Sequence, residues 1–356
     1  FSKGVLMQKS LSYDDVLLVP QYSDIKSRAE VSTLTDLGAG LTLSLPIISS
    51  PMDTITETSM AFVMGTMGGT GIVHRYNTIE EQTDIVKEVN ECFAHERDIA
   101  GARPKVGAAV GVTGDFIERA QALVFAGVHY ICVDVAHGHH LLMKEALYNL
   151  KKSLPSGLHI MAGNVATLDG INDLADWGAN SVRCNIGGGS ICSTRIQTGH
   201  GIPGFQTIVE CAKTERDVGI IADGGIRNAG DIVKALAAGA DAVMCGSLLS
   251  GTHETPGDIL KDKYGAWKVY RGMASKEAQL NWKGDYSSYE GVSSHVPYRG
   301  YVDDIIADLE RNIRSGLSYS GARSIRELQA TSVFVRQTSA GVTESNTHIT
   351  NKSRKW

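Results

Sequence analysis

The chain has 356 residues, 42% of them hydrophobic and 21% charged, with a formal net charge of −5. That length suffices for a large closed core, and so mild an acidic balance gives no bulk attraction to nucleic acid. No apolar run approaches membrane-spanning length and the six cysteines include no Cys-x-x-Cys pair, so the expectation is a soluble, cytoplasmic protein with reduced thiols, without membrane or nucleic-acid partners.

In chain order, residues 11–20 (LSYDDVLLVP) come first, an apolar segment expected to plug or cap one end of the fold. Eight runs of apolar and small residues then recur, at 46–50, 71–74, 106–110, 130–134, 159–163, 181–186, 219–223 and 242–246. Each is short and nearly continuous, as in strands buried on both faces. Helix-length segments separate them. Between the third and fourth runs, Phe116, Ala120, Leu123 and Val124 share one helical face, and Gly127 is placed to stop that helix. A similar join recurs as AGVHYI, WGANSV and AGADAV, each passing from a helix end to a strand through Gly127, Gly178 or Gly239. After the eighth run, residues 252–300 are too many for an idle loop and read as a flap, and 302–315 supply a closing helix. The polar tail 336–356 is expected to order only against another surface. The fold predicted is α/β, a (β/α)8 TIM barrel forming a single catalytic domain over 1–356, with an N-terminal cap strand and a flap after strand eight. A doubly wound sheet is the alternative, but no Gly-x-Gly-x-x-Gly follows the first run.

In such a barrel functional groups come from the C-terminal ends of strands. Here those ends carry Ser49-Ser50-Pro51-Met52-Asp53, His74-Arg75, Asp134-Val135-Ala136-His137, Gly163-Asn164, Asp223-Gly224-Gly225 and Gly246-Ser247. The last two flank the usual phosphate position, where glycine N–H groups and a helix N-terminus meet an anion, so a phosphorylated substrate is expected there. The sixth strand runs into GGGSICSTR at 187–195. Three glycines remove every Cβ from the turn, leaving main-chain groups able to approach a ligand. Thr194, two residues beyond Cys192, gives a thiolate nucleophile a proton-transfer partner. A glycine turn beside a buried cysteine is the plainer alternative. His137, His139 and His140 invite a metal, but strands three and five offer no further ligands, so hydrogen-bonding or solvated histidines are expected. Asp53 reads as a helix cap. Lys105 stands at the start of strand three, the wrong end for an aldolase or isomerase lysine.

SYDDVLLVP, SSPMDT, AGNVAT, GGGSICSTR, IADGGIR, GSLL and YRGM together resemble the IMP dehydrogenase/GMP reductase family over nearly the whole chain. The resemblance implies that Cys192 attacks C2 of a purine nucleotide, and that hydride moves between that carbon and a nicotinamide. It makes Thr194 the neighbouring hydroxyl and Glu290 a catalytic carboxyl near purine N1. Ser50, Met52, Ser190, Asp223, Gly225, Gly246, Ser247, Tyr270, Gly272 and Met273 would hold the nucleotide. Asp134, Ala136, Asn164 and Arg75 would face the cofactor. Arg75 stands where the family has lysine, and a guanidinium does not give up a proton at neutral pH. Carbonyls of Gly187, Gly189 and Cys192 would form a site for a monovalent cation such as K+, and a homotetramer is implied.

The family's two chemistries make opposite demands. Dehydrogenases resembling this chain activate water with an Arg-Tyr pair on the flap, whereas residues 272–291 contain no arginine. A reductase must lose ammonia and gain hydride before water arrives, so a water-activating arginine is harmful to it. Arg195-Ile196-Gln197-Thr198-Gly199 resembles the reductases, and residues 77–104 are too few for an inserted regulatory domain. SSPMDT and the stretch 137–139 resemble the dehydrogenases instead. The expectation is NADPH-dependent reductive deamination of GMP to IMP and ammonia. NAD-dependent oxidation of IMP to XMP is the alternative, and a non-catalytic nucleotide-binding barrel a remote one.

Overall fold

A computed structural model describes residues 9–96, 102–286 and 289–346. Eight parallel strands close into a barrel in chain order: β1 (Ile47–Ser49), β2 (Thr70–Val73), β3 (Lys105–Val110), β4 (Tyr130–Asp134), β5 (His159–Val165), β6 (Ser181–Cys184), β7 (Gly219–Asp223) and β8 (Ala242–Cys245). Val243 of β8 pairs with Ile47 of β1, which closes the ring and excludes an open sheet. The helices packed around it are α1 (Thr58–Thr66), α2 (Ile79–Phe93), α3 (Phe116–Phe125), α4 (Leu141–Ser153), α5 (Leu168–Asp176), α6 (Gly204–Cys211), α7 (Ala229–Ala237) and α8 (Val302–Tyr319). Among the described residues, α2 fills the connection between β2 and β3. No helix among the described residues is long and apolar enough to cross a membrane.

Strand and helix ends follow local chemistry. Gly127 takes φ +88° just beyond α3, a conformation in which a Cβ would clash with the backbone. β6 stops two residues short of the expected end because Asn185 turns to φ +153°. β5 runs two residues further than expected, through Val165, with a shifted register against β6 after Gly163.

Two peripheral expectations are corrected. Residues 11–20 do not plug the barrel. Val16–Leu18 pairs antiparallel with Phe334–Arg336, and the ribbon lies against α6, where the rings of Phe205 and Phe334 meet edge-on at 5.0 Å. The start of the tail therefore orders on the chain's own N-terminal segment, and a short helix, Ser339–Glu344, comes after it. Residues 347–356 of the expected tail lie outside the described residues.

The end of the barrel opposite the strand C-termini is closed by a hairpin, Thr35–Asp36 with Thr42–Leu43, which the sequence pattern does not reveal. Its Leu37, Leu41 and Leu43 pack in the barrel interior with Ile48, Ile72 and Met161. Lys105 Nζ donates to Thr42 O at this end, 3.2 Å away.

The flap is a three-stranded antiparallel sheet, Leu260–Asp262, Gly265–Arg271 and Ser293–Pro297, with a helix at Lys276–Lys283. Lys268 is buried beneath it and donates to the carbonyls of His253 and Thr255, anchoring the sheet to the loop that leaves β8.

Candidate active site

The C-terminal rim of the barrel and the underside of the flap line a cleft that is open to solvent. Every residue expected to be catalytic, nucleotide-facing, cofactor-facing or cation-binding lines it. They arrive from seven barrel-strand ends and the flap, elements far apart in the chain.

The cysteine turn is shaped by its own backbone and then stitched to the flap. Cys192 N donates to Gly189 O at 3.1 Å, closing the turn. Val292 N donates to Ile191 O at 3.0 Å, and Ser193 N to Glu290 O at 2.8 Å. These bonds bring Glu290 to the nucleophile. Cys192 Sγ lies 3.1 Å from Thr194 Oγ1, and the Thr194 hydroxyl donates to Glu290 Oε2 at 2.7 Å. With the thiol donating to Thr194 oxygen, a proton has a continuous route from sulfur to carboxylate. Cys192 is partly exposed in the cleft, whereas Cys132, Cys184 and Cys245 are buried in the barrel wall. Burial pushes the Cys132 thiol up to about 12, which keeps it inert.

On the other side of the turn, the Tyr270 hydroxyl lies 3.4 Å from Ser190 Oγ, and burial raises its pKa, so it stays a neutral hydrogen-bonding group. A Cβ on Gly246 would come within 3.1 Å of Tyr270 Oη and 3.2 Å of Met52 Sδ. Glycine there keeps main chain, rather than a side chain, against this part of the cleft.

The floor holds a residue that the sequence motifs do not single out. Arg183, on β6, is buried and donates through Nε and Nη2 to Asp223 Oδ2 at 3.0 and 2.7 Å, and through Nη1 to Asp134 Oδ1. Burial works against its charge, but Asp223 and Asp134 outweigh it and hold its pKa well above the usual arginine value. Asn164 Nδ2 adds a bond to Asp223 Oδ2 at 2.8 Å. One signal was available: Val182 and Cys184 belong to the outer core, which leaves the intervening Arg183 pointing inward, where a charge needs a partner.

Among the buried atoms of the cleft that lack a hydrogen-bond partner are Arg75 Nε, a donor, and Asn164 Oδ1, an acceptor. One donor and one acceptor suit an amide-bearing ligand, which presents a carbonyl and an NH2 group.

Asp53 is not a helix cap. Its carboxylate pairs with Arg271, with Nε 2.9 Å from Oδ2, and Glu57 occupies the cap position of α1, so Asp53 ties the β1 loop to the flap. Tyr76 and Trp282 stack at 6.0 Å and make a second tie from the β2 loop to the flap helix. His74 is held by Glu57 at 3.0 Å and by Tyr76 N at 3.2 Å. The β4 histidines turn outward: His139 Nε2 lies 2.8 Å from Asp173 Oδ2, and His140 Nδ1 accepts from Leu142 N at the start of α4.

The model of the family described as IMP dehydrogenase / GMP reductase domain matches residues 10–348. An inosine-5'-monophosphate dehydrogenase of Nitrosopumilus maritimus is 34% identical, with 96% of this chain and 98% of that protein covered. A GMP reductase of Leishmania major is 31% identical, over 97% of this chain and 98% of that protein. A crystal structure of a GMP reductase variant from Trypanosoma brucei in complex with guanosine 5'-monophosphate matches with a TM-score of 0.90 at 30% identity, covering 98% of this chain and 99% of that one.

Proposed function

The chain belongs to the IMP dehydrogenase/GMP reductase family, and within it we propose that it acts as a GMP reductase, converting GMP to IMP and ammonia with NADPH. The observation that carries this reading is the hydrogen-bonded series Cys192–Thr194–Glu290 beneath a flap whose residues 272–291 include no arginine.

The thiol proton passes through Thr194 to Glu290, and the thiolate adds to C2 of the purine. The 2-amine then leaves as ammonia, taking back through Thr194 the proton that Glu290 received. Asp134, Ala136, Asn164 and Arg75 would hold NADPH, which would supply the hydride that replaces the amine. Cleavage of the C–S bond releases IMP and returns the thiolate, which regains a proton from solvent. The unpartnered Arg75 Nε and Asn164 Oδ1 fit the carboxamide of a nicotinamide. Ser190, Asp223, Gly225, Gly246, Ser247 and Tyr270 hold the ribose and phosphate, while Ser50, Met52, Gly272, Met273 and Glu290 face the base. The carbonyls of Gly187, Gly189 and Cys192 would hold K+; that of Gly189 already accepts from Cys192 N and keeps one lone pair for an ion. The working form in this reading is a homotetramer of single-domain barrels.

A second reading draws on Arg75. It brings to the cleft a guanidinium from β2 rather than from the flap, and in a dehydrogenase it would stand in for the missing water-activating arginine. Nicotinamide absorbance separates the two. Loss of NADPH absorbance with GMP, releasing IMP and ammonia, is expected. NADH formation from NAD and IMP, with XMP accumulating, would overturn the reductase reading.

A further inference from the structure

Asn185 is a non-glycine residue at φ +153°, a backbone angle that L side chains rarely adopt. It is buried and sits where β6 gives way to the cysteine turn. Its backbone N donates to Val165 O at 2.8 Å, and its carbonyl accepts from Asn164 Nδ2 at 3.0 Å, which fixes it to the end of β5. Its side chain reaches across the floor, and Nδ2 donates to Gly224 O at 3.3 Å. The same amide lies under Gly188: a Cβ there would fall 2.0 Å from Asn185 Nδ2 and 2.7 Å from its Cγ. The two glycine turns also touch directly, since a Cβ on Gly225 would meet Gly188 O at 3.3 Å and one on Gly224 would meet Gly189 Cα at 3.3 Å. Asn185 Oδ1 is buried without a partner. Side-chain volume, a hydrogen bond and an unusual backbone angle thus converge where the turn bearing the nucleophile leans on the turn after β7.

We propose that Asn185 is a positioning residue: its amide wedges the Gly187–Gly189 turn against Gly224–Gly225, so that an anion seated on the second turn sets the position of Cys192 on the first. The wedge works through packing. Gly188 has no Cβ because the amide occupies that space, and Gly224 is held through its carbonyl. The inference rests on the reading that a nucleotide phosphate lies along Gly225, Gly246 and Ser247. It does not depend on the direction of hydride transfer.

The test is the rate at which iodoacetamide alkylates Cys192, followed by peptide mass so that exposed Cys92 does not interfere. Rates are compared with and without inorganic phosphate, at concentrations that compete with nucleotide. In the unaltered protein phosphate should change the rate severalfold. Asn185→Gly, which suits φ +153° and so retains the fold, should abolish that response. It should also lower kcat by about tenfold or more while leaving the KM for NADPH unchanged, as a displaced nucleophile does. Gly188→Ala should damage the response from the other side, by driving a methyl into the amide. In the Asn185→Gly background, where the space is vacant, the same alanine should add little further loss, a non-additivity expected of residues in contact. A phosphate response unchanged in Asn185→Gly, or absent from the unaltered protein, overturns the proposal. If Asn185→Gly fails to fold, Gly188→Ala alone decides it: an unaltered labelling response overturns the wedge. Because labelling reads the thiol, a chain found to oxidise IMP would leave the result standing.

Discussion

Thr194 takes part in both contacts of the Cys192–Thr194–Glu290 series, so its loss should uncouple sulfur from carboxylate. Thr194→Val and Glu290→Gln are each expected to lower kcat by roughly 10²–10⁴-fold, the usual worth of a positioned acid–base group. GMP affinity, measured by calorimetry, should stay within a few-fold of the unaltered protein. Equal activity in either variant would remove the relay. Arg183 makes a different prediction. With Arg183→Met, Asp134 and Asp223 remain in the cleft floor without their counter-charge, and stability in urea should fall by about 3–5 kcal/mol. Cys192 and Thr194 are legible in the sequence because a glycine turn, a cysteine and a hydroxyl occur within nine residues. Glu290 is found only through the family resemblance, since nothing in its local sequence distinguishes it from a solvated loop glutamate. Arg183 escapes notice because both its carboxylates are supplied by other strands.

The element that closes the lower end of the barrel carries a pH dependence. His159 opens β5, where Nδ1 donates to Gly38 O in the turn of the closing hairpin and Nε2 accepts from Ser181, both at 2.8 Å. Burial pulls its pKa down from 6.5 to about 4. The fold therefore favours neutral imidazole, while the unfolded chain takes up a proton near the ordinary value. This stabilisation is complete above pH 6.5 and is lost as pH falls from 6.5 toward 4. It amounts to at most about 3 kcal/mol. The melting temperature should drop through that window in the unaltered protein and drop less in His159→Gln. Parallel profiles would show that another group is responsible. The hairpin itself is invisible to sequence patterning because its strands are two residues each, too short for any periodicity. The barrel strands are legible in number and order because burial on both faces gives each a continuous apolar run.

At the scale of the whole molecule, the chain is tied together by its two described ends. Val16–Leu18 pairs with Phe334–Arg336, and Phe205 on α6 packs against both Tyr13, at 6.0 Å, and Phe334, at 5.0 Å. Phe334→Ala should lower stability by up to about 3 kcal/mol without changing the alkylation rate of Cys192, because the ribbon lies outside the cleft. A change in that rate would show that the strap reaches the site. The sequence by itself determined the barrel, the strand ends that carry chemistry, the cysteine turn and the family, since each is written in runs of fewer than a dozen residues. Only the tertiary structure decided what plugs the barrel, where the N-terminal strand pairs, that Asp53 meets Arg271, and that Arg183 and Asn185 underlie the site. Those contacts join residues from separate strands and loops, and a charge or an amide shows its partner only once the chain has closed around it.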